Sequence, residues 1–469
     1  MTASPGTGTG TGTGTAPLAG GIHGAEALRP LLDTVLDALR TGARARGGPL
    51  PAGGPDAVTA RVEAALGDVL PEHGHGDHEA LRTLVHTLAA GAADPADPLC
   101  AAHLHCPPLA VAVAADLAAG ALNPSLDSWD QAPAASTIEA LLTRALAAEF
   151  HDTPHPDAVL TTGGTEANQL ALLLARERHG PRLTVLHGAN AHHSVPRAAW
   201  LLGLPPARAL PTPTGTLAPA TLAEALAATT GPVLVAATAG TTDAGLIDPL
   251  GPLADLCDQY GADLHVDAAY GGLLALSPRH RHKLAGLDRA RSITLDLHKL
   301  GWQPVAAGIL TVPDTALLAP LSHRADYLNA QDDTDAGLPD LLGRSLRTTR
   351  RADVLKIAAT LRSLGRDGIT QLIDRTCALA GQLARLLEAH PAFELHAAPT
   401  ISTVLFRPTH ADDKRIAALR RTLLLGGSAV LGRASADGRL WLKATLLNPH
   451  TTAGDLDVLV NLLEGSTHR

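Results

Sequence analysis

Between residues 158 and 312 short apolar runs alternate with segments of helical spacing, and that alternation restricts the fold more than any other feature. The runs are Leu183–Leu186, Val233–Ala237, Leu264–Val266, Ile293–Leu297 and Gly308–Val312. Near-continuous apolar runs fit strands buried on both faces, and the intervening helices supply the crossovers a parallel sheet needs. The spacing predicts an α/β fold with a mostly parallel sheet covered on both sides. In such sheets ligands gather at the carboxyl ends of the strands.

Five polar stretches fall at predicted strand ends. The first is Thr161-Thr162-Gly163-Gly164-Thr165-Glu166-Ala167-Asn168, leading into a helix over 169–178. Two glycines let backbone approach a ligand, free amides at a helix start attract phosphate, and Thr165 adds a hydroxyl. An ordinary N-cap turn would look the same. Next come Ala191-His192-His193-Ser194, where a histidine can lie flat over an aromatic ring or serve as an idle loop residue, and Ala237-Thr238-Ala239-Gly240-Thr241-Thr242, whose small and hydroxylated residues leave room for a ligand. Asp248 is expected to cap the helix that follows.

The fourth stretch is His265-Val266-Asp267-Ala268-Ala269-Tyr270. A carboxylate at the end of a buried strand is costly without a positive partner. Asp267 is therefore either ion-paired, a cap, or the partner of a protonated ring nitrogen. The fifth, Ser292-Ile293-Thr294-Leu295-Asp296-Leu297-His298-Lys299, ends on one of only five lysines in the chain. A poorly solvated amine at a strand end is suited to attack an aldehyde. Phosphate turn, aspartate and lysine in that order point to pyridoxal 5'-phosphate held on Lys299 through a Schiff base.

Composition narrows the partners. The 469 residues allow two or three domains. A net charge of −9 argues against nucleic acid or anionic membrane as the main partner. No apolar stretch of about 18 residues occurs, so no membrane span is expected. Four scattered cysteines build no disulfide framework, and no secretory signal is visible, so a cytoplasmic setting is expected. Cys100, His103, His105 and Cys106 suit no common zinc spacing; a loop lining a pocket is preferred, and no metal is expected. Aromatics make up only 2% of the chain, leaving Ala, Leu and Val to fill the core.

Residues 1–20, with their Gly-Thr repeat, are expected to form a disordered tail, and 21–94 an N-terminal helical segment packing on a partner subunit. Helices are expected over 23–43, 56–70 and 77–91, then an alanine-rich one after Pro107 and another from about Thr137. Residues 95–350 would form the large domain. Residues 351–469, opening with a helix over 354–364 and mixing strands near 400–406 and 440–446 with a helix over 412–425, would form the small one.

Taken together, Thr162–Asn168, Ala191-His192, Ala239–Thr242, His265–Tyr270, His298-Lys299 and Leu346–Arg351 with Lys356 resemble the group II pyridoxal-phosphate-dependent amino acid decarboxylases of the aromatic amino acid, glutamate and 2,4-diaminobutyrate type. The likeness runs from about residue 95 to the C-terminus. It implies the type I (aspartate aminotransferase-like) fold, with a seven-stranded large-domain sheet and a small α+β C-terminal domain, in a homodimer with sites at the subunit interface. By that resemblance Lys299 is the Schiff-base lysine, Asp267 the pyridine-nitrogen partner and His192 the stacking residue. Gly164, Thr165 and His298 would hold phosphate, Ala269 the opposite ring face and Thr241 the edge. Animal members carry a loop tyrosine that protonates Cα, but residues 330–347 contain none here. Tyr327, His192 or water would have to serve.

For substrate, the expected pocket residues are His105, Asn123, Asp127, Trp129 and Asp130. One aromatic among them disfavours an aromatic substrate, and Asp127 and Asp130 suit either a distal ammonium or a place on the surface. The Asn123–Gln131 and Leu447–Thr451 runs look most like bacterial diaminobutyrate, ornithine and lysine decarboxylases. The expected reaction is decarboxylation of a cationic aliphatic L-amino acid to amine and CO2. Oxidative deamination to an aldehyde, transamination, aromatic or glutamate decarboxylation, and a catalytically silent homologue are the rival readings.

Overall fold

The computed structural model describes residues 16–467 except Arg324, Asp326, Tyr327 and Asn329. Most of the expected tail, and Tyr327, therefore lie outside the described residues. The strands, in chain order, are β1 (Cys100–Ala101), β2 (Asp157–Thr161), β3 (Thr184–Gly188), β4 (Arg208–Leu210), β5 (Val233–Thr238), β6 (Asp263–Asp267), β7 (Ser292–Asp296), β8 (Gly308–Val312), β9 (Phe393–Leu395), β10 (Thr403–Pro408), β11 (Val430–Ala436) and β12 (Arg439–Thr445).

Seven of them form one sheet in the order β2-β8-β7-β6-β5-β3-β4. β8 runs antiparallel to both neighbours, and the other pairs are parallel. β2, β3, β5, β6 and β7 consequently all end at the same edge of the sheet. Every residue of β2, β5, β6, β7 and β8 is buried, which is why these runs read as apolar rather than alternating. Helices Gly164–His179 and Ser194–Leu201 cover one face through Leu170, Leu172 and Val195. On the other face, helices Pro133–Ala147, Pro219–Ala227 and Leu250–Tyr260 contribute Leu146, Leu222 and Leu253.

The second sheet has the order β1-β11-β12-β10-β9. Helices Asp413–Leu425 and Ala453–Thr467 and the C-terminal part of Val354–Ala389 pack on it. That long helix is broken at Gly365, whose φ of 62° lies where glycine is favoured. Its first part packs into the large-sheet core through Val354 and Ile357, and its last turns into the small-sheet core through Leu383 and Leu387. It joins the two layers. The expected boundary at residue 95 is corrected at one point: β1 pairs in parallel with Val430–Leu431 and so belongs to the small sheet.

The N-terminal helices are Gly24–Arg46, Gly54–Leu66 and Asp77–Gly91. Leu36, Leu39, Leu84 and Leu88 on them are exposed.

Candidate active site

A cavity of about 400 Å³ opens where the strands end, lined among others by Gly163, Gly164, Thr165, His192, Asp267, Ala269, His298 and Lys299. Residues far apart in sequence meet here because β2, β3, β5, β6 and β7 all end at one edge of the sheet.

The turn after β2 is fixed by its own helix. The Thr162 amide and hydroxyl donate to Glu166 Oε2 at 2.6 and 2.8 Å, so the carboxylate four residues on holds the turn shut. Arg347 Nε sits 3.4 Å from the other oxygen of Glu166. Behind the turn there is no room: a Cβ at Gly308 would stand 2.4 Å from Gly163 Cα. At Gly164 it would meet Ala269 Cβ at 3.0 Å and Asp296 Oδ2 at 3.2 Å. These glycines bring backbone amides of the first helical turn to the cavity, where they have no intrahelical acceptor.

Lys299 follows β7 on a tight turn closed by its amide donating to Asp296 O. Its Nζ lies 2.8 Å from Asp296 Oδ2, and His298 Nε2 lies 3.5 Å from the same oxygen. Asp296 Oδ1 and His298 Nδ1 are buried without a protein partner. Burial pulls the His298 imidazole below its ordinary pKa, with Asp296 opposing. Cys106 Sγ donates to the His298 carbonyl at 3.1 Å, and burial pushes its thiol up to about 12, so it is inert packing.

Asp267 ends β6 buried, with Oδ1 accepting from the Ala269 amide at 3.2 Å and Oδ2 from Asn168 Nδ2 at 2.9 Å. Asn168 also donates to Ser194 Oγ at 2.8 Å, and Ser194 Oγ lies 2.8 Å from His192 Nδ1. Burial lowers the pKa of His192, opposed by the nearby Asp267 charge. His193 is exposed, its ring 4.1 Å from that of His192 and tilted by 47°.

Other expected positions lie elsewhere. Thr241 is buried, but its hydroxyl accepts from the Leu246 amide at 3.0 Å within the loop, and the lining passes from Gly240 to Thr242. His105 is exposed, with only its neighbour Leu104 lining the cavity. Asn123, Asp127, Trp129 and Asp130 are also outside this chain's lining. Their segment is tied to Arg350 and Arg351 instead: the Leu126 amide donates to Arg350 O, and Ser125 bridges Arg351. Asp127 is buried and accepts from Gln131 Nε2 at 2.8 Å. Asp248 does not cap the next helix. It accepts from Asn190, Leu217 and Thr238, fixing the β5 end from the side.

Asn168, Ser194 and His265 carried no assigned role in the sequence reading. A signal existed for His265, a polar residue inside a fully buried strand, since such a residue needs a partner.

The arrangement fits pyridoxal phosphate. The glycine turn and His298 could hold an anion, His192 and Ala269 could flank a flat ring, and Asp267 and the Lys299 amine line the same cavity. Those features define a type I pyridoxal-phosphate site. Sequence comparison gives the family: the model of the pyridoxal-dependent decarboxylase conserved domain matches residues 65–409, and the chain belongs to that family. It is a carboxy-lyase, with pyridoxal phosphate as its cofactor. L-2,4-diaminobutyrate decarboxylase of Rhizobium meliloti is 41% identical over 86% of this chain and 84% of its own length. The Acinetobacter baumannii enzyme of the same name is 32% identical over 84% of each. Among solved structures, the glutamate decarboxylase domain of a Vibrio parahaemolyticus diaminobutyrate-pyruvate transaminase and L-2,4-diaminobutyrate decarboxylase superposes with a TM-score of 0.85. It is 30% identical, covering 96% of this chain and 97% of that one.

Proposed function

We propose that the chain decarboxylates a cationic aliphatic L-amino acid, with 2,4-diaminobutyrate first among candidates and ornithine and lysine next. The observation that carries this substrate class is the 41% identity, sustained over most of both chains, to a diaminobutyrate decarboxylase. The lining supports it: among the described residues Tyr270 is the only Phe, Tyr or Trp on the cavity wall, which offers little to an aromatic substrate.

When bound, pyridoxal phosphate supplies a covalent link to the substrate amine and an electron sink at Cα. Lys299 Nζ would hold it between turnovers. Gly164, Thr165 and His298 would bind phosphate, and Asp267 would hold a proton on the ring nitrogen. His192 would close one face, exclude water and present a donor toward Cα, while Ala269 closes the other. Tyr327 stays an alternative proton donor. Orientation of the scissile carboxylate and charge placement then set the rate.

We also infer a homodimer with a cytoplasmic setting. Exposed leucines on the N-terminal helices and the position of Asn123, Asp127, Trp129 and Asp130 outside this chain's cavity support residues 21–94 packing on a partner and 123–131 serving the partner's site. Residues 95–350 would act as the large domain and 351–469 as the small one, with β1 lent to the latter. Four free cysteines fit a reducing compartment. Among the described residues no helix is long and apolar enough to cross a membrane. A panel of amino acids scored by product mass, with CO2 and H2O2 measured together, tests the proposal. Amine and CO2 from 2,4-diaminobutyrate, ornithine or lysine support it; aldehyde with H2O2 and little amine would overturn it.

A further inference from the structure

Asn168 is 1% exposed and sits at the floor of the cavity, on the helix that follows the phosphate turn. Its side-chain bonding capacity is matched on both ends. Nδ2 donates to Asp267 Oδ2 and Ser194 Oγ at 2.9 and 2.8 Å. Oδ1 receives Thr294 Oγ1 at 2.7 Å and faces His265 Nε2 at 3.0 Å. A carboxylate oxygen only accepts, so the amide nitrogen must face Asp267 and the oxygen must face His265.

The protons downstream are then determined. His265 must donate from Nε2, leaving Nδ1 to accept from Ser292 Oγ at 2.9 Å. This is the neutral form, and burial pushes the His265 pKa down to about 4. In the other direction, Ser194 Oγ already accepts from Asn168, so its own proton is free for His192 Nδ1. The Ser194 amide points at the same nitrogen, at 3.3 Å. With two donors aimed at it, Nδ1 carries no proton, and the ring's single hydrogen is on Nε2.

We propose that Asn168 is a positioning residue that fixes the tautomer of His192. It couples the Asp267 carboxylate to that histidine through Ser194, so that His192 offers Nε2–H to the bound substrate. The role rests on the decarboxylase reading above, but the tautomer belongs to the protein and is measurable without cofactor. Asp267, Asp296, His193 and Lys299 are the charged or titratable groups acting on His192. Asp267 and Asp296 favour its protonation, and Lys299 and His193 oppose it.

The experiment uses the full chain labelled with ¹⁵N-histidine, with and without pyridoxal phosphate, the His192 signal being assigned by its loss in His192→Gln. The wild type should show Nε2–H alone near neutral pH. Ser194→Ala removes a donor that stabilises neutral His192, and Asn168→Leu removes the donor that partly offsets the Asp267 charge. Both should mix the tautomers and move the His192 titration to higher pH. In the holoenzyme each should lower kcat on the order of tenfold with KM little changed. The double variant should be no worse than the poorer single one, because both cut one relay.

Retention of a lone Nε2–H tautomer in both variants, or fully additive losses in kcat, would overturn the proposal. If Asn168→Leu does not fold, Ser194→Ala, which deletes one oxygen, decides by the same spectrum. A wild type that gains no visible absorbance with pyridoxal phosphate would defeat the cofactor reading, whereas the cofactor-free spectrum still judges the relay.

Discussion

Gly308→Ala should damage the cofactor site although residue 308 lies on a strand, outside the cavity lining. The added methyl would sit 2.4 Å from both Gly163 Cα and Thr161 Oγ1 and 2.6 Å from Gly163 N, where ordinary contact begins near 3.4 Å. The overlap of about 1 Å with Gly163 falls on backbone, which cannot swing away as the Thr161 hydroxyl can. Either β8 or the Gly163 turn must therefore shift. Overpacking of this kind costs roughly 1–3 kcal/mol of stability. A shift of about 1 Å in a positioning element can cost on the order of 10²-fold in rate. Gly164→Ala is the graded control. Its methyl meets Ala269 Cβ at 3.0 Å and Asp296 Oδ2 at 3.2 Å, so the neighbours need to give by only a few tenths of an ångström. Thermal melting of the cofactor-free protein, pyridoxal phosphate titration by absorbance, and kcat should all rank wild type, then Gly164→Ala, then Gly308→Ala. Wild-type melting and cofactor affinity in Gly308→Ala would refute the packing argument.

Lys299→Ala should abolish the visible absorbance formed with pyridoxal phosphate and reduce kcat by several orders of magnitude; a coloured, active variant would contradict the anchor. Tyr270→Phe removes a buried hydroxyl bonded to Ser402 and Thr403 at 2.8 and 2.9 Å. Thr403 keeps Thr445 as a partner, but the buried Ser402 amide and hydroxyl lose this one, so the change should cost about 1–3 kcal/mol in chemical denaturation. A pH dependence follows from His265, whose folded pKa of about 4 is below its value of about 6.5 when unfolded. The unfolded chain takes up the proton first, so this contribution to stability is complete above about 6.5 and lost as pH falls toward 4, by a few kcal/mol. Denaturation midpoints measured across that window should fall for wild type and flatten in His265→Gln.

The motifs at the ends of β2, β3, β5, β6 and β7 were legible because each combines a buried apolar run with residues that run cannot tolerate without a partner. All five expected runs fall on strands, and Gly308–Val312 coincides with β8. The direction of β8 was not legible, since a buried strand has the same composition either way round. β4 escaped because Arg208-Ala209-Leu210 is an edge strand of only three residues, too short to read as an apolar run. The helix expected near Thr137 begins at Pro133, a residue suited to a first turn. Thr241 was drawn toward the ligand by its hydroxyl, which the loop uses for itself. Asn168 was hidden for a different reason: its partners at 194, 265, 267 and 294 become neighbours only once two strands and two helices are packed.

The parallel pairing of Cys100–Ala101 with Val430–Leu431 bears on how the protein is made. As the chain leaves the ribosome, the seven-stranded sheet is complete once residue 312 has emerged. The outermost strand of the small sheet, β1, still lacks its neighbour then, because β11 emerges more than a hundred residues later. A stop codon before residue 430 would therefore leave all the large-sheet strands present and the Cys100 segment without its neighbour.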